Sequence, residues 1–303
     1  MSEIKLFKIK GDIKQIVSSE VLLEKELQTL IEKNMETFFG VRFLKSEYVI
    51  TNGRMDSIGI DENNCPVIFE YKRSSNENVI NQGLFYLDWL LDHKADFKLL
   101  VIEKMGTKVA NAIDWSAPCV ICIANDFTKY DIHAVNQMQR NIKLVKYRKY
   151  EDELILFEHL NVPTIKSIDK NLIEGKDDKK KNTQKTYEKT HEEKLKSIPQ
   201  DKKILYENIC NYIESLGDDI VANQLKFYLA YKKVQNIICI EVFNKKIVLY
   251  LKLNPETINL EEGFTRNVKN IGHYGTGDLQ VIIKNANDFK KAKELIVRAY
   301  NEG

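Results

Sequence analysis

The segment Pro66-Val67-Ile68-Phe69-Glu70-Tyr71 constrains the fold more than any other part of the chain. As an extended strand it is apolar on both faces except for one glutamate, so it reads as a buried central strand. A charge entering such a strand is costly unless it is paired or metal-bound. Upstream, Ile58 to Ile60 reads as a second strand, and Asp61-Glu62-Asn63-Asn64-Cys65 between the two is turn chemistry. An antiparallel hairpin centred on Asn63 sets Asp56 opposite Glu70 and Arg54 opposite Lys72. Side chains two apart on a strand share a face, so these four residues project as one block. Opposed Cβ atoms stand ~5 Å apart, close enough for two carboxylates to share a cation. A bulge would shift this register by one residue.

Glu-x-Lys alone carries no information. It recurs at Glu3-Ile4-Lys5, Glu174-Gly175-Lys176 and Glu192-Glu193-Lys194, where solvated charge explains it. The copy at Glu70 differs in sitting in an apolar strand. Downstream, Asn76 to Asp92 reads as a helix whose core stripe is Val79, Ile80, Leu84, Leu87, Leu90 and Leu91. Gln82 and Tyr86 lie four apart and share a face of it; a surface glutamine and a core-edge tyrosine are the plain alternative. An earlier helix carries Leu23, Leu27, Leu30 and Ile31, with Ser18 and Ser19 as N-cap candidates.

Gly53-Arg54-Met55-Asp56, Glu70-Tyr71-Lys72 and Gln82-Gly83-Leu84-Phe85-Tyr86 resemble the PD-(D/E)XK, or restriction-endonuclease-like, nuclease superfamily. The likeness is greatest to branches with a Gly-Arg-x-Asp strand and a Gln-xxx-Tyr helix, including NucS-type endonucleases and RecB-type nuclease domains. It covers about residues 18 to 125. The resemblance implies an α/β fold with a mixed central sheet flanked by helices. It implies a Mg²⁺- or Mn²⁺-dependent nuclease acting on DNA, with Asp56 and Glu70 as metal ligands and Lys72 as the catalytic lysine. Gln82 then reaches the metal site or the DNA backbone and Tyr86 supports it; Arg54 and Arg73 are further DNA-binding candidates. Related nucleases carry a Glu three residues before a helix leucine, which points to Glu24, with Glu26 behind it; an ordinary charged helix face is the plain alternative for each. No proline precedes Asp56, a departure at the weakest element of the motif. The rival reading is a non-catalytic DNA- or protein-binding module on an inactivated nuclease fold. A defence or repair setting rests on the resemblance alone.

The chain has 46 basic and 44 acidic residues, which is not the balance of a protein held to nucleic acid by phosphate contacts alone. A nuclease with its cations gathered at one cleft is compatible with it. Lys143, Lys146, Arg148 and Lys149 are candidates, with a solvated strand end as the alternative. Five cysteines without a framework fit a reducing cytoplasm. Cys119 and Cys122 fall on opposite faces of an apolar strand and lack a second pair, which argues against zinc. No apolar run is long enough to span a membrane, and the first residues do not read as a signal peptide.

The expected organisation is a nuclease domain over 1–160, a charged linker over 161–197 and an α+β accessory domain over 198–303. In the first domain, Phe97 to Ile102 reads as a strand, Lys108 to Asp114 as a short helix and Cys119 to Ala124 as a strand. Ile142 to Tyr150 and Leu154 to Phe157 then form a closing hairpin. The linker is rich in lysine and acid and turns helical near Glu188. In the last domain, helices at Lys202 to Leu216 and Asp288 to Tyr300 bracket strands at Lys226 to Ala230, Ile237 to Phe243, Ile247 to Leu253 and Asp278 to Ile283. This module resembles a bacterial C-terminal domain of unknown function, sometimes labelled a predicted transport protein, although nothing in the sequence supports membrane transport. Recognition or assembly is its expected role, with a homodimer through it as one form. Gly272-His273-Tyr274-Gly275-Thr276-Gly277-Asp278 is either a tight turn or a small binding loop. Phe264, Arg266, Lys269 and His273 are candidates for a surface that meets DNA or another subunit.

Overall fold

The computed structural model describes residues 4–18, 22–72, 79–138, 140–151, 153–160 and 188–303. The chain divides into two compact units. The first comprises Met1–Ile60, Pro66–Asn111 and Pro118–Lys166. Its elements are β1 (Leu6–Lys8), β2 (Lys14–Ile16), α1 (Glu24–Lys33), α2 (Met35–Phe39), β3 (Val41–Ile50), β4 (Gly53–Asp61), β5 (Pro66–Lys72), α3 (Val79–Asp92), α4 (Lys94–Met105), α5 (Thr107–Asn111), β6 (Cys119–Ala124), α6 (Lys129–Gln137), β7 (Ile142–Tyr150) and β8 (Leu154–His159). Strands β1 and β2 form a hairpin of their own; the other six make one sheet in the order β3-β4-β5-β6-β7-β8. Pairing is antiparallel at β4/β5 and β7/β8 and parallel at β5/β6 and β6/β7. The sheet is therefore mixed.

Helices cover both faces of its centre. Val67, Phe69 and Tyr71 join Leu27 and Ile31 of α1 in one core. On the opposite face α3 lies over Val120 and Cys122, the ladder partners of Ile68 and Glu70. This is why β5 is apolar on both sides.

Two sequence expectations are corrected in this unit. Phe97 to Ile102 is not a strand but part of α4, where Phe97, Leu100 and Val101 are buried at helical spacing. Leu99 and Ile102 are exposed on its outer side, so the unbroken apolar run imitated a strand. Helix α1 is capped at Leu23 rather than at a serine; Ser18 instead bridges to Tyr150, and Ser19 lies outside the described residues.

The second unit takes in Asp61–Cys65, Ala112–Ala117 and Ser167–Gly303. It contains α7 (His191–Ser197), α8 (Gln200–Glu214), β9 (Val221–Gln224), β10 (Leu229–Lys232), β11 (Asn236–Phe243), β12 (Lys246–Leu251), β13 (Thr265–Asn267), β14 (Leu279–Ile283) and α9 (Ala286–Glu302). Its sheet, in the order β13-β14-β12-β11-β10-β9, is antiparallel throughout. Leu205, Ile209 and Ile213 of α8 and Phe289, Ala292 and Ile296 of α9 share a core with Ile238, Ile240 and Leu249. Phe264 belongs to that core as well, so it is not part of the surface proposed for it. The strand expected from Lys226 begins at Leu229. No helix among the described residues is long and apolar enough to cross a membrane.

Candidate active site

The β4/β5 ladder keeps the expected register from Ile60/Pro66 to Ser57/Phe69 and then ends. Beyond it, side chains take the place of main-chain partners. The Asp56 N–H donates to Glu70 Oε1 at 3.3 Å, and the Tyr71 N–H donates to Asp56 Oδ2 at 3.0 Å. The two carboxyls meet where the ladder stops. Arg54 therefore does not face Lys72. Its Nε lies 2.6 Å from Glu47 Oε2 of β3, an ion pair without hydrogen-bond geometry, and its side chain is 61% exposed.

Glu70 is 2% exposed. Burial first, and then the charge of Asp56, pushes its pKa up to about 9. The two carboxyls are within hydrogen-bonding reach of each other. Asp56 is also raised, chiefly by burial; the Tyr71 N–H and the charge of Lys72 oppose the rise, while Glu24 and Glu47 add to it. Lys72 Nζ stands 3.4 Å from Glu24 Oε1. Glu24, Asp56, Glu70 and Lys72 thus form one electrostatic cluster. Glu26 turns elsewhere and accepts the Leu23 N–H at 3.2 Å, capping its own helix.

Gln82 is exposed on α3, whereas Tyr86 is buried and its hydroxyl accepts the Arg54 N–H at 3.4 Å. A Cβ at Gly53 would stand 2.7 Å from Tyr86 Cε1. The glycine of Gly-Arg-x-Asp and the tyrosine of Gln-xxx-Tyr are therefore two sides of one contact, and a side chain at Gly53 would push α3 from β4. Arg73 lies outside the described residues.

A supporting network escaped the sequence reading. Gln28, 3% exposed, donates from Nε2 to the Asp56 carbonyl at 2.8 Å, to Ser46 Oγ at 3.1 Å and to Glu32 Oε1 at 2.9 Å. Ser57 Oγ donates to Glu32 Oε1 at 2.6 Å, and the Tyr71 hydroxyl donates to Ser57 Oγ at 3.1 Å. These bonds fix the β4 main chain at Asp56 from the α1 face. The signal was the four-residue spacing of Glu24, Gln28 and Glu32 beside Leu27 and Ile31.

The donor chemistry fits a hard divalent cation. Both ligand candidates are carboxylates, and a cation between them would offset the burial and repulsion that raise their pKa values. Among the described residues no group of three or more His, Cys, Asp and Glu side chains is arranged to hold a metal. Two carboxylates match Mg²⁺, which commonly keeps waters and substrate phosphates as its other ligands, rather than an all-protein cage.

No family model matches the chain. Among solved structures it is similar to a repair endonuclease from Pyrococcus abyssi, at 20% identity and a TM-score of 0.28 over 45% of this chain and 50% of that one. It is also similar to EndoMS in complex with double-stranded DNA, at 16% identity and a TM-score of 0.29 over 47% of this chain and 64% of that one. The chain spans about half the length of the Pyrococcus abyssi protein. The full-length likeness is to an uncharacterized protein of Haemophilus influenzae, 31% identical over 301 residues, 97% of this chain and 98% of the relative. The chain belongs to the family of that Haemophilus influenzae protein.

Proposed function

We propose that this protein is a metal-dependent nuclease that hydrolyses DNA phosphodiesters, with Asp56 and Glu70 holding Mg²⁺ or Mn²⁺. The observation that carries this reading is the buried carboxyl pair in contact where the β4/β5 ladder ends, with Lys72 beside it. The motif resemblance to restriction-endonuclease-like nucleases supplies the reaction type, and a mixed sheet between helices is compatible with it. A bound divalent cation contributes Lewis acidity, lowering the pKa of water and neutralising phosphate charge. The residues do the rest. Lys72 places a positive charge where the phosphoryl oxygens gain negative charge. Glu24, 3.4 Å from Lys72 Nζ, holds that ammonium in place. Gln28 and Tyr71 fix Asp56 through its carbonyl and carboxyl, so the pair keeps its geometry without metal.

The test is cleavage of single-stranded, duplex, branched and mismatched DNA with Mg²⁺, Mn²⁺ or EDTA. Metal-dependent cleavage of at least one substrate, lost in Glu70→Gln, is the expected result. A preparation that binds the metal yet cuts none of the four removes the nuclease reading and leaves the non-catalytic binding module.

A further inference from the structure

The second unit contains a cavity of about 370 Å³ that the proposed nuclease chemistry does not use. Its size lies in the range of small-ligand sites, but its lining does not resemble the usual apolar pocket. Eight of the ten lining residues are polar or charged, the exceptions being Leu253 and Gly277, and none is aromatic. No ring in the wall offers a flat base a stacking partner. A ligand covered in hydrogen-bonding groups suits such a lining.

The wall is built rather than incidental. It includes the end of the glycine loop, Thr276-Gly277-Asp278. Gly277 has φ +125, and a Cβ there would stand 2.8 Å from the Tyr250 carbonyl carbon, so only glycine lets the loop lie against β12. Asn236, 1% exposed, donates from Nδ2 to Thr276 Oγ1 at 3.1 Å, and the Thr276 N–H points to Cys239 Sγ at 3.3 Å. The loop is thereby fixed before any ligand arrives.

Charge sets the ligand class. Glu62 is answered by Lys232, whose Nζ is 3.3 Å from its carboxylate. Lys252 Nζ donates to the neutral amide oxygen of Gln235 at 2.8 Å, which leaves its charge uncancelled by that partner. Lys252, Lys269, Glu62 and Asp278 balance in the lining itself, and Lys232 behind Glu62 leaves the group with one net positive charge and Asp278 as the carboxylate without a lysine of its own among these contacts. Two ammonium groups suit a phosphate, and a carboxylate beside them suits hydroxyls. We infer that this cavity is a binding site for a phosphorylated sugar, free or as the ribose-phosphate part of a nucleotide: Lys252 and Lys269 hold the phosphate and Asp278 accepts from the sugar hydroxyls. The inference stands apart from the nuclease reading, because none of these residues belongs to the Asp56/Glu70 cluster.

Calorimetric titration of the full chain tests it, with ribose 5-phosphate, adenosine 5′-monophosphate, inorganic phosphate and ribose as probes. Ribose 5-phosphate should bind at least about tenfold more tightly than phosphate or ribose. The double variant Lys252→Gln/Lys269→Gln should weaken it by at least about tenfold. Both lysines are exposed, so the fold should survive, which a melting curve checks. Asp278→Asn should weaken ribose 5-phosphate but not inorganic phosphate. Equal binding of the nucleotide extends the site to nucleotides; its exclusion restricts the site to free sugar phosphates. No saturation by any phosphorylated probe up to ~10 mM overturns the inference, as does binding that ignores the lysine substitutions. Phosphate binding as tight as ribose 5-phosphate overturns the sugar assignment.

Discussion

Each of the two six-stranded sheets buries one glutamate in an interior strand: Glu70 in β5, 2% exposed, and Glu241 in β11, 4% exposed. Burial raises the pKa of both. Their company differs in sign. Glu70 faces another carboxyl, Asp56, which raises it further to about 9. Around Glu241 the charges of Lys194 and His273, the Tyr250 hydroxyl and the Tyr274 N–H all oppose the rise. Glu241 is thus a satisfied structural charge, while Glu70 belongs to a pair that gains from a cation. A buried charge alone does not mark a site; a buried charge with a like-charged neighbour does.

That contrast is broken or upheld most sharply by activity. Asp56→Asn and Glu70→Gln should each lower Mn²⁺-dependent cleavage by at least about 10³-fold, about 4 kcal/mol of transition-state stabilisation. Glu241→Gln should leave turnover within about twofold, because nothing at Glu241 meets the reacting groups. Initial rates on one labelled DNA substrate compare all three. If Glu241→Gln is as damaging as Glu70→Gln without unfolding the protein, the distinction drawn from neighbouring sign is wrong.

Lys72 sharpens the same point from the cationic side. On the proposed reading, in which its charge acts on the transition state, Lys72→Ala should reduce kcat by about 10²-fold while metal affinity changes less than about threefold. Metal titration alongside single-turnover rates separates the two. Collapsed metal binding with normal turnover per bound metal would make Lys72 a structural residue.

The hairpin that carries this site was legible for a definite reason. Turn chemistry at 61–65 fixed the register, and it holds at Ser57/Phe69. What could not be read is that Asp56 Oδ2 captures the Tyr71 N–H and ends the ladder, so Arg54 leaves Lys72 for Glu47. A local register rule has no access to a side chain outcompeting a main-chain partner. Strand β3 went unread because Glu47 adopts φ 52 within it and breaks the alternation of sides. The cost of burying a charge pointed to Glu70, but the same argument applied to Glu241 would have named a second site. Only the tertiary neighbours separate them.

The metal-free protein should show the repulsion directly. An unfolded glutamate titrates near 4.5 and Glu70 in the fold near 9, so between those values the folded state holds a proton the unfolded state has lost. Stability from this group is therefore full below pH ~4.5 and falls as pH rises toward ~9, by up to ~1.4 kcal/mol per unit. Thermal melts in EDTA from pH 5 to 9 should slope downward in the wild type and less so in Glu70→Gln, which cannot ionise. Added Mg²⁺ should flatten the wild-type slope, because binding to the carboxylates releases the proton. Parallel slopes for wild type and Glu70→Gln would place the pair's repulsion elsewhere or nowhere.

The smallest effect separates two neighbours on α1. Glu24 reaches Lys72, whereas Glu26 accepts the N–H of Leu23 and serves its own helix end. Glu24→Gln keeps the shape and removes the charge that holds Lys72, so kcat should fall by about tenfold, the usual scale for a group that orients a catalytic one. The melting temperature should barely move, since a half-exposed ion pair adds little to stability. Glu26→Gln should do the reverse: turnover within about twofold, with a slightly lower melting temperature from the weakened helix start. If the lysine's environment is what Glu24 controls, Glu24→Asp should recover part of the lost rate and Glu24→Ala none. Equal rates for Glu24→Gln and Glu26→Gln would mean that proximity to Lys72 carries no catalytic consequence, and the cluster would shrink to Asp56, Glu70 and Lys72.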